Sequence, residues 1–430
     1  MVQPTSREGL VRGIRRWDLL ALVLNAIIGA GIFGLPSKVF ALVGAYSLLA
    51  YLLCAILVIL IILCFAEIGS RFSETGGPYL YARYAFGSVV AFEVGWLLWL
   101  ARLTAFAALC NLLVDYLGYF VPGASAGTWR VILIVIVVGL LTMINIIGVR
   151  DATLFSDLFT IGKLIPLLLF VAVGAFFIKR ETYAFGPAPD LRTLSQAILP
   201  LVFAFSGFET AVIPAGETLD PRRHLPFALI AGISIVALLY IAVQAVCIGT
   251  LPDLANSQKP LADAANRFVG SAGGAIIAIG AIVSVTGTLN SMMLAAPRLL
   301  FAMAEQDQLP RALASTHARF RTPHVAIVAS AAVMLVLTLN GSFLSQLTIS
   351  TIIRLVAYGA TCAALPVLRR KAHVPPAQFT VPGGFGVAVT ALLLIVWLLV
   401  QSGGPESRAA TLAALFGLLL FAIFRRFGRS

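Results

Sequence analysis

Four basic side chains lie deep within long apolar stretches of the chain, where a charge needs a specific reason to be present. They are Arg102, Lys163, Arg298 and Arg354. A charged residue at the centre of a membrane-spanning helix costs about 2.5 to 3.5 kcal/mol on insertion scales, so each should have a partner, a water-filled cavity or a route to the membrane surface. Because only 11% of the 430 residues are charged, these four are the first candidates for functional chemistry.

Two apolar stretches contain residues that interrupt a helix. Residues 25–36 read NAIIGAGIFGLP, and residues 203–217 read FAFSGFETAVIPAGE, with Glu209 just beyond the Ser–Gly pair. Backbone groups freed in the middle of a membrane are tolerated only where they line a cavity or bind something. Half-helix N-termini favour a carboxylate and half-helix C-termini favour an ammonium, which are the two groups of an α-amino acid. The alternative is that the glycines merely allow close helix packing.

Long apolar stretches must position these residues. A helix needs about 20 mostly apolar residues to cross a bilayer core about 30 Å thick. Twelve stretches qualify, at 17–40, 45–67, 90–118, 131–148, 157–178, 194–215, 226–250, 272–303, 325–341, 346–368, 384–402 and 409–425. The sequence therefore predicts an all-α membrane protein with twelve transmembrane helices. Its interrupted spans, the first and the sixth, are five apart, as in transporters built from inverted repeats.

The distribution of basic residues predicts the orientation. The side of the membrane that holds the N-terminus has 18 Lys and Arg residues in its loops and span ends, against 8 on the other side. Cytoplasmic loops retain the positive excess. We therefore expect a multi-pass protein of the cell membrane with both termini in the cytoplasm.

Other function classes lack support in the sequence. The net charge of +12 comes from short basic clusters between apolar spans, which argues for membrane orientation and against nucleic-acid binding. The five cysteines show no metal-ligand spacing and all four histidines fall in predicted loops, so neither a metal, a cofactor nor a hydrolase site is indicated. A channel remains a distant alternative, since no selectivity-filter pattern is present.

Five segments in a fixed order carry a family resemblance. They are GAGIFGLP at 29–36, ETGGPYLYARYAFG at 74–87, GFETAVIPAGE with DPRRHLPFAL at 207–229, GTLNSMMLAAPRLLFAMAEQDQLPRAL at 287–313 and RTPHVAI at 321–327. Over nearly the whole chain the sequence resembles the amino-acid permeases of the amino-acid/polyamine/organocation (APC) superfamily.

The resemblance implies a five-plus-five inverted-repeat, leucine-transporter-like fold with discontinuous helices 1 and 6. Residues 1–178 would hold the N-terminal tail and the first repeat, residues 179–370 the second repeat, and residues 371–430 spans 11 and 12 with the C-terminal tail. All three parts would form one membrane domain. It would move an amino acid or related amine by alternating access around a central site.

The resemblance also implies which residues bind the substrate. Backbone N–H groups of Gly29, Ala30 and Gly31 would bind the substrate carboxylate. Backbone carbonyls near Ile27, Phe203 and Ser206, beside Gly207, would bind the amino group. Phe203 would act as an aromatic gate. Many relatives have Ser where Ala30 stands, so backbone donors must contribute more here. Phe106 and Met292 would make the rest of the pocket apolar, or serve only as core packing.

Three charged residues have implied roles with open alternatives. Lys163 matches a lysine that sits where sodium binds in sodium-driven relatives, so it either couples transport to protons or braces the helices. Glu209 is a gate or proton sensor, or a hydrogen-bonded strut. Arg102 selects an acidic or polar side chain, pairs with Glu209, or is structural. We expect proton-coupled symport through Lys163, with a sodium-independent amino-acid or polyamine exchanger as the alternative.

Overall fold

The structure is a computed structural model that describes residues 14–29, 31–74, 76–123, 125–147, 152–213, 215, 218–306, 308–372, 374–402 and 404–427, with side chains in all of them except 152–161 and 425–427. Its α-helices are α1 (Arg16–Ile27), α2 (Gly31–Val43), α3 (Ser47–Gly69), α4 (Gly77–Phe86), α5 (Ser88–Leu117), α6 (Gly127–Ile147), α7 (Ala152–Gly174), α8 (Leu191–Ala204), α9 (Phe208–Ala211), α10 (Pro221–Thr250), α11 (Pro260–Val269), α12 (Ser271–Glu305), α13 (His324–Asn340), α14 (Phe343–Arg370), α15 (Gly384–Gln401) and α16 (Pro405–Phe427).

The described chain is all-helical, apart from one isolated parallel β-bridge between Ile14 and Thr218. In its described part, nine helical stretches are long and apolar enough to cross a membrane. Helices satisfy their own backbone hydrogen bonds, which is why they suit a medium without water. The prediction of an all-α, multi-pass membrane protein is confirmed at this level.

The difference between nine stretches and the twelve predicted spans has physical causes. The first predicted span is divided between α1 and α2, and neither part alone has the length of a membrane span. Helix α13 has 17 residues, and the apolar part of α7 is described from Gly162 onward. A count based on length and composition therefore passes over α1, α7 and α13, and it takes α2 together with α3 as the single stretch Gly31–Gly69.

Helix α5 forms the centre of the bundle and packs against α12, α13 and α14. Nearly all of its side chains are buried. Helices α6, α15 and α16 instead carry many exposed Leu, Val, Ile and Phe side chains. These outer helices present an apolar surface that suits lipid.

A buried carboxylate fixes the end of α14. The Glu67 side chain on α3 accepts hydrogen bonds from Arg369 Nε at 2.7 Å and Nη2 at 2.6 Å. It also accepts the Val381 backbone N–H at 2.8 Å, while Arg71 lies 3.4 Å away. Because every donor around this buried carboxylate is charged or a backbone amide, the cluster compensates for the loss of hydration. It ties α3, α14 and the segment before α15 together.

Candidate functional site

The first predicted interruption is a helix end. Helix α1 stops at Ile27, and Ile28 leaves helical geometry with ψ of 88°. The last carbonyls of a helix have no partner within it, and here two of them are met by other helices. The Asn25 carbonyl accepts the Lys163 ammonium at 2.5 Å, and the Ile27 carbonyl accepts the Tyr240 hydroxyl at 3.1 Å.

The second interruption lies between α8 and α9. Helix α8 ends at Ala204, and Gly207 has φ of +113°, a conformation that favours glycine. The Phe203 carbonyl accepts the Ser206 backbone N–H at 3.0 Å and its hydroxyl at 2.7 Å. The Ala204 carbonyl accepts the Tyr240 hydroxyl at 3.2 Å. Tyr240 therefore lies between the ends of α1 and α8.

The two interruptions touch each other. A Cβ atom added at Gly207 would lie 2.2 Å from the Ala26 carbonyl oxygen, and one added at Gly31 would lie 2.8 Å from the Ala204 Cα. Both distances are shorter than any real contact of this kind. The missing side chains thus allow the backbone of one interruption to pack directly on that of the other, so the helix ends at both interruptions meet at one place.

Glu209 follows directly after this junction and is fully partnered. Its carboxylate forms an ion pair with Arg354 and accepts the Tyr358 hydroxyl at 2.7 Å and the Gly207 backbone N–H at 2.8 Å. Only 2% of Glu209 is exposed. The rings of Phe208 and Tyr358 pack with centroids 5.2 Å apart beside it. Because the ion pair is buried, removing either Glu209 or Arg354 would leave the other charge without compensation, at a high cost in stability.

Arg102 is the exception among the buried charges of this region. It interacts electrostatically with Glu209, Arg354 and Tyr358, yet its Nη1 atom has no hydrogen-bond partner among the described residues. The sequence left pairing between Arg102 and Glu209 open; in the structure the ion-pair partner of Glu209 is Arg354. The two guanidinium groups face one carboxylate, which leaves one positive charge uncompensated within this set.

Lys163 lies on the other side of the first interruption. The side chain is 3% exposed, and its ammonium reaches across from α7 to the Asn25 carbonyl. No salt bridge to Lys163 is present in the part of the chain that the structure describes. A carbonyl at a helix C-terminus carries partial negative charge, so the ammonium occupies a place that suits a cation.

The remaining predicted site residues in the described chain lie on α5 and α12. Phe106 is wholly buried on α5, one turn beyond Arg102, and Met292 is partly buried on α12. One turn before Met292, Thr288 Oγ1 would lie 3.6 Å from a Cβ added at Gly29, so α12 lines the first interruption. Ala30 is outside the described residues.

No group of three or more His, Cys, Asp or Glu side chains that could hold a metal occurs in the described ranges. The model of the family described as "Amino acid permease" matches residues 14–423. The chain belongs to this amino acid permease family. This permease is therefore a membrane transporter and not an enzyme.

Three bacterial relatives illustrate the range of activities in the family. The permease is 33% identical over 390 residues to the serine/threonine exchanger SteT of Bacillus subtilis, covering 88% of each chain. It is 27% identical over 459 residues to the branched-chain amino acid permease BcaP of the same organism, covering 99% of this chain and 96% of BcaP. It is 29% identical over 316 residues to an arginine/ornithine antiporter of Pseudomonas aeruginosa, covering 70% of this chain and 65% of the antiporter.

Two tyrosines, Tyr240 and Tyr358, and the partner of Arg354 were not predicted from the sequence. Tyr240 was not singled out, although a hydroxyl in the middle of the apolar run of α10 was a usable signal. Tyr358 follows Arg354 by four residues, so both lie on one face of α14 and reach the same carboxylate. From the sequence, Arg354 was one of four buried charges in need of a partner, and the structure shows that this partner is Glu209.

Proposed function

We propose that the permease binds the backbone-like part of an amino acid at the junction of its two interrupted helices and carries it across the cell membrane by alternating access. The contact between the interruptions at Gly31 and Gly207 supports this proposal most directly. It gathers the start of α2 and the ends of α1 and α8 at one place. The N–H groups of Gly29, Ala30 and Gly31 would hold the carboxylate, and carbonyls near Ile27, Phe203 and Ser206 the amino group.

The proposed architecture has twelve spans, with the first ten in two inverted repeats and both termini in the cytoplasm. A helix overlaps every predicted span in the described chain, which supports the number. Two basic side chains add to the symmetry: Lys163, on the fifth span, contacts the end of α1, and Arg354, on the tenth, pairs with Glu209 just beyond α8.

We further propose that transport is independent of sodium. The Lys163 ammonium lies on a helix-end carbonyl and has no described carboxylate partner, so it supplies the positive charge that a bound cation would otherwise bring. If the Lys163 ammonium loses and regains a proton during each transport cycle, transport is proton-coupled symport. If it stays, Lys163 is a fixed structural cation.

Exchange is the second candidate. By their names, SteT is an exchanger and a second relative is an antiporter. A permanently charged Lys163 suits a transport cycle in which the carrier reorients only with substrate bound. An obligate exchanger takes up labelled amino acid only into vesicles that contain unlabelled amino acid. A proton symporter also fills empty vesicles under an imposed pH gradient.

The uncompensated charge at Arg102 narrows the expected substrates. A buried guanidinium N–H group without an acceptor, as at Arg102 Nη1, is costly, and a substrate carboxylate or hydroxyl would supply that acceptor. We therefore expect amino acids with acidic or hydroxyl side chains to bind better than aliphatic ones.

One experiment tests this proposed function. The purified permease is reconstituted in proteoliposomes, and counterflow of labelled serine, threonine, aspartate, glutamate, leucine and arginine is measured with sodium and without it. We expect saturable, stereoselective uptake that does not change when choline replaces sodium. Uptake that requires sodium would refute the assignment of Lys163, and uptake of none of these amino acids would refute the proposed substrate class.

A further inference from the structure

A groove lies on the exposed surface of the helix bundle. It has a volume of about 460 Å³ between α6 and α13, and its walls are almost entirely apolar. Several of its side chains are exposed, including Val135, Met143 and Val328. Gly139 lies in its floor, and a Cβ added there would meet nothing within 4 Å. The absent side chain therefore leaves open space.

The length of the groove suits one lipid tail. Its wall on α6 extends from Val135 to Ile147, and a helix of this length rises about 18 Å. One leaflet of the hydrocarbon core is about 15 Å deep, half of the core thickness of about 30 Å. An acyl chain of one leaflet would thus extend along most of the groove.

One end of the groove is basic. The Thr322 hydroxyl donates to the Ile146 carbonyl at 2.7 Å, which places the segment before α13 against the groove's end. That segment carries Arg319 and Arg321, both exposed. Neither arginine forms an ion pair with a described residue. Backbone N–H groups of Arg319 and Phe320 donate to His317 Nδ1 at 3.2 Å, and these bonds fix the segment's shape.

We propose that the groove between α6 and α13 binds an anionic phospholipid, with an acyl chain over Gly139 and the phosphate beside Arg319 and Arg321. The apolar walls account for the acyl chain, and the guanidinium groups of Arg319 and Arg321, which have no ion-pair partner among the described residues, account for the negative headgroup. This site is independent of the substrate junction, so its test does not depend on the proposed function.

Native mass spectrometry of the full chain in detergent tests the proposal. The probes are phosphatidylglycerol and phosphatidylcholine with identical palmitoyl and oleoyl chains, and inorganic phosphate alone. Each arginine near an anionic headgroup contributes about a fivefold preference. We expect phosphatidylglycerol to bind better than phosphatidylcholine, and inorganic phosphate not to compete. Equal binding of the two lipids, or competition by inorganic phosphate alone, would overturn the lipid assignment.

Two pairs of variants locate the site. Gly139→Leu adds a side chain to the groove from a position where a Cβ meets nothing within 4 Å, and it should lower binding of both lipids. Gly386→Leu on α15, where a Cβ also meets nothing, should change neither. Gly-to-Leu changes favour the helix, so both should fold. Equal effects of the two would refute the groove as the site, as would a purified dimer that covers this face.

The second pair concerns charge. The double variant Arg319→Gln, Arg321→Asn should reduce phosphatidylglycerol binding to the level of phosphatidylcholine. Asn suits position 321 because its φ is +57°. Arg370→Gln, an exposed arginine at the end of α14, should leave the preference unchanged. A preference that survives in the double variant would overturn the proposed headgroup contact.

Discussion

Replacing Arg102 with methionine should stabilise the empty permease while weakening substrate binding. The Arg102 Nη1 atom is buried without a partner among the described residues, and an unsatisfied buried donor costs about 1–3 kcal/mol. Methionine of similar length removes that donor and keeps the packing against α14. We therefore expect the free energy of unfolding of Arg102→Met to rise by about 1–3 kcal/mol.

Arg354→Met is the matched control, since it makes the same substitution in an arginine that is equally buried but paired with Glu209. Removing one partner of a buried ion pair costs about 3–5 kcal/mol, so this variant should melt well below the wild type. The measurement is thermal unfolding in detergent, followed by intrinsic tryptophan fluorescence, without substrate.

Adding the preferred amino acid completes the test. At a concentration about 100 times Kd, a ligand raises the free energy of unfolding by about 2.7 kcal/mol, and the wild type should show this gain. Arg102→Met should show little of it for acidic or hydroxyl amino acids. If Arg102→Met instead melts as low as Arg354→Met in the absence of substrate, Arg102 is a structural residue and the reasoning fails.

Three further substitutions test the junction. Lys163→Met should abolish uptake driven by a pH gradient, and uptake equal to wild type would exclude proton coupling through this residue. Gly207→Ala should lower the free energy of unfolding by about 2–5 kcal/mol and stop transport, because backbone strain adds to overlap with a carbonyl. The control Gly383→Ala, also at positive φ but with open space around the added Cβ, should cost only about 1–2 kcal/mol. Tyr240→Phe removes one hydroxyl from two carbonyls and should lower the transport rate while leaving the protein folded; an unchanged rate would limit Tyr240 to packing.

The all-helical fold and the sites of interruption were predictable because they depend on local sequence. Long apolar stretches favour helices in lipid, and glycines near 29–31 and at 207 end them, as the helix bounds at Ile27 and Ala204 show. Lys163 was singled out as a buried charge matching a lysine at the sodium position of sodium-driven relatives, and its ammonium lies on the Asn25 carbonyl. Its role in transport stays a prediction.

The pairing of Glu209 with Arg354 could not be predicted, since the two residues are 145 positions apart and their contact depends on how α14 packs beside α9. The same holds for Tyr240, which contacts two carbonyls separated by most of the first half of the chain. Local spacing identifies charged residues that need partners, but tertiary packing decides which partners they meet.

The Glu67 cluster has a mechanical consequence for the C-terminal helices. Because Arg369 and the Val381 amide share one carboxylate, the short connection that leads into α15 is anchored at both ends to the same point on α3. We therefore expect a tilt of α3 or α14 to move α15 as well, because both ends of this connection bind the same carboxylate.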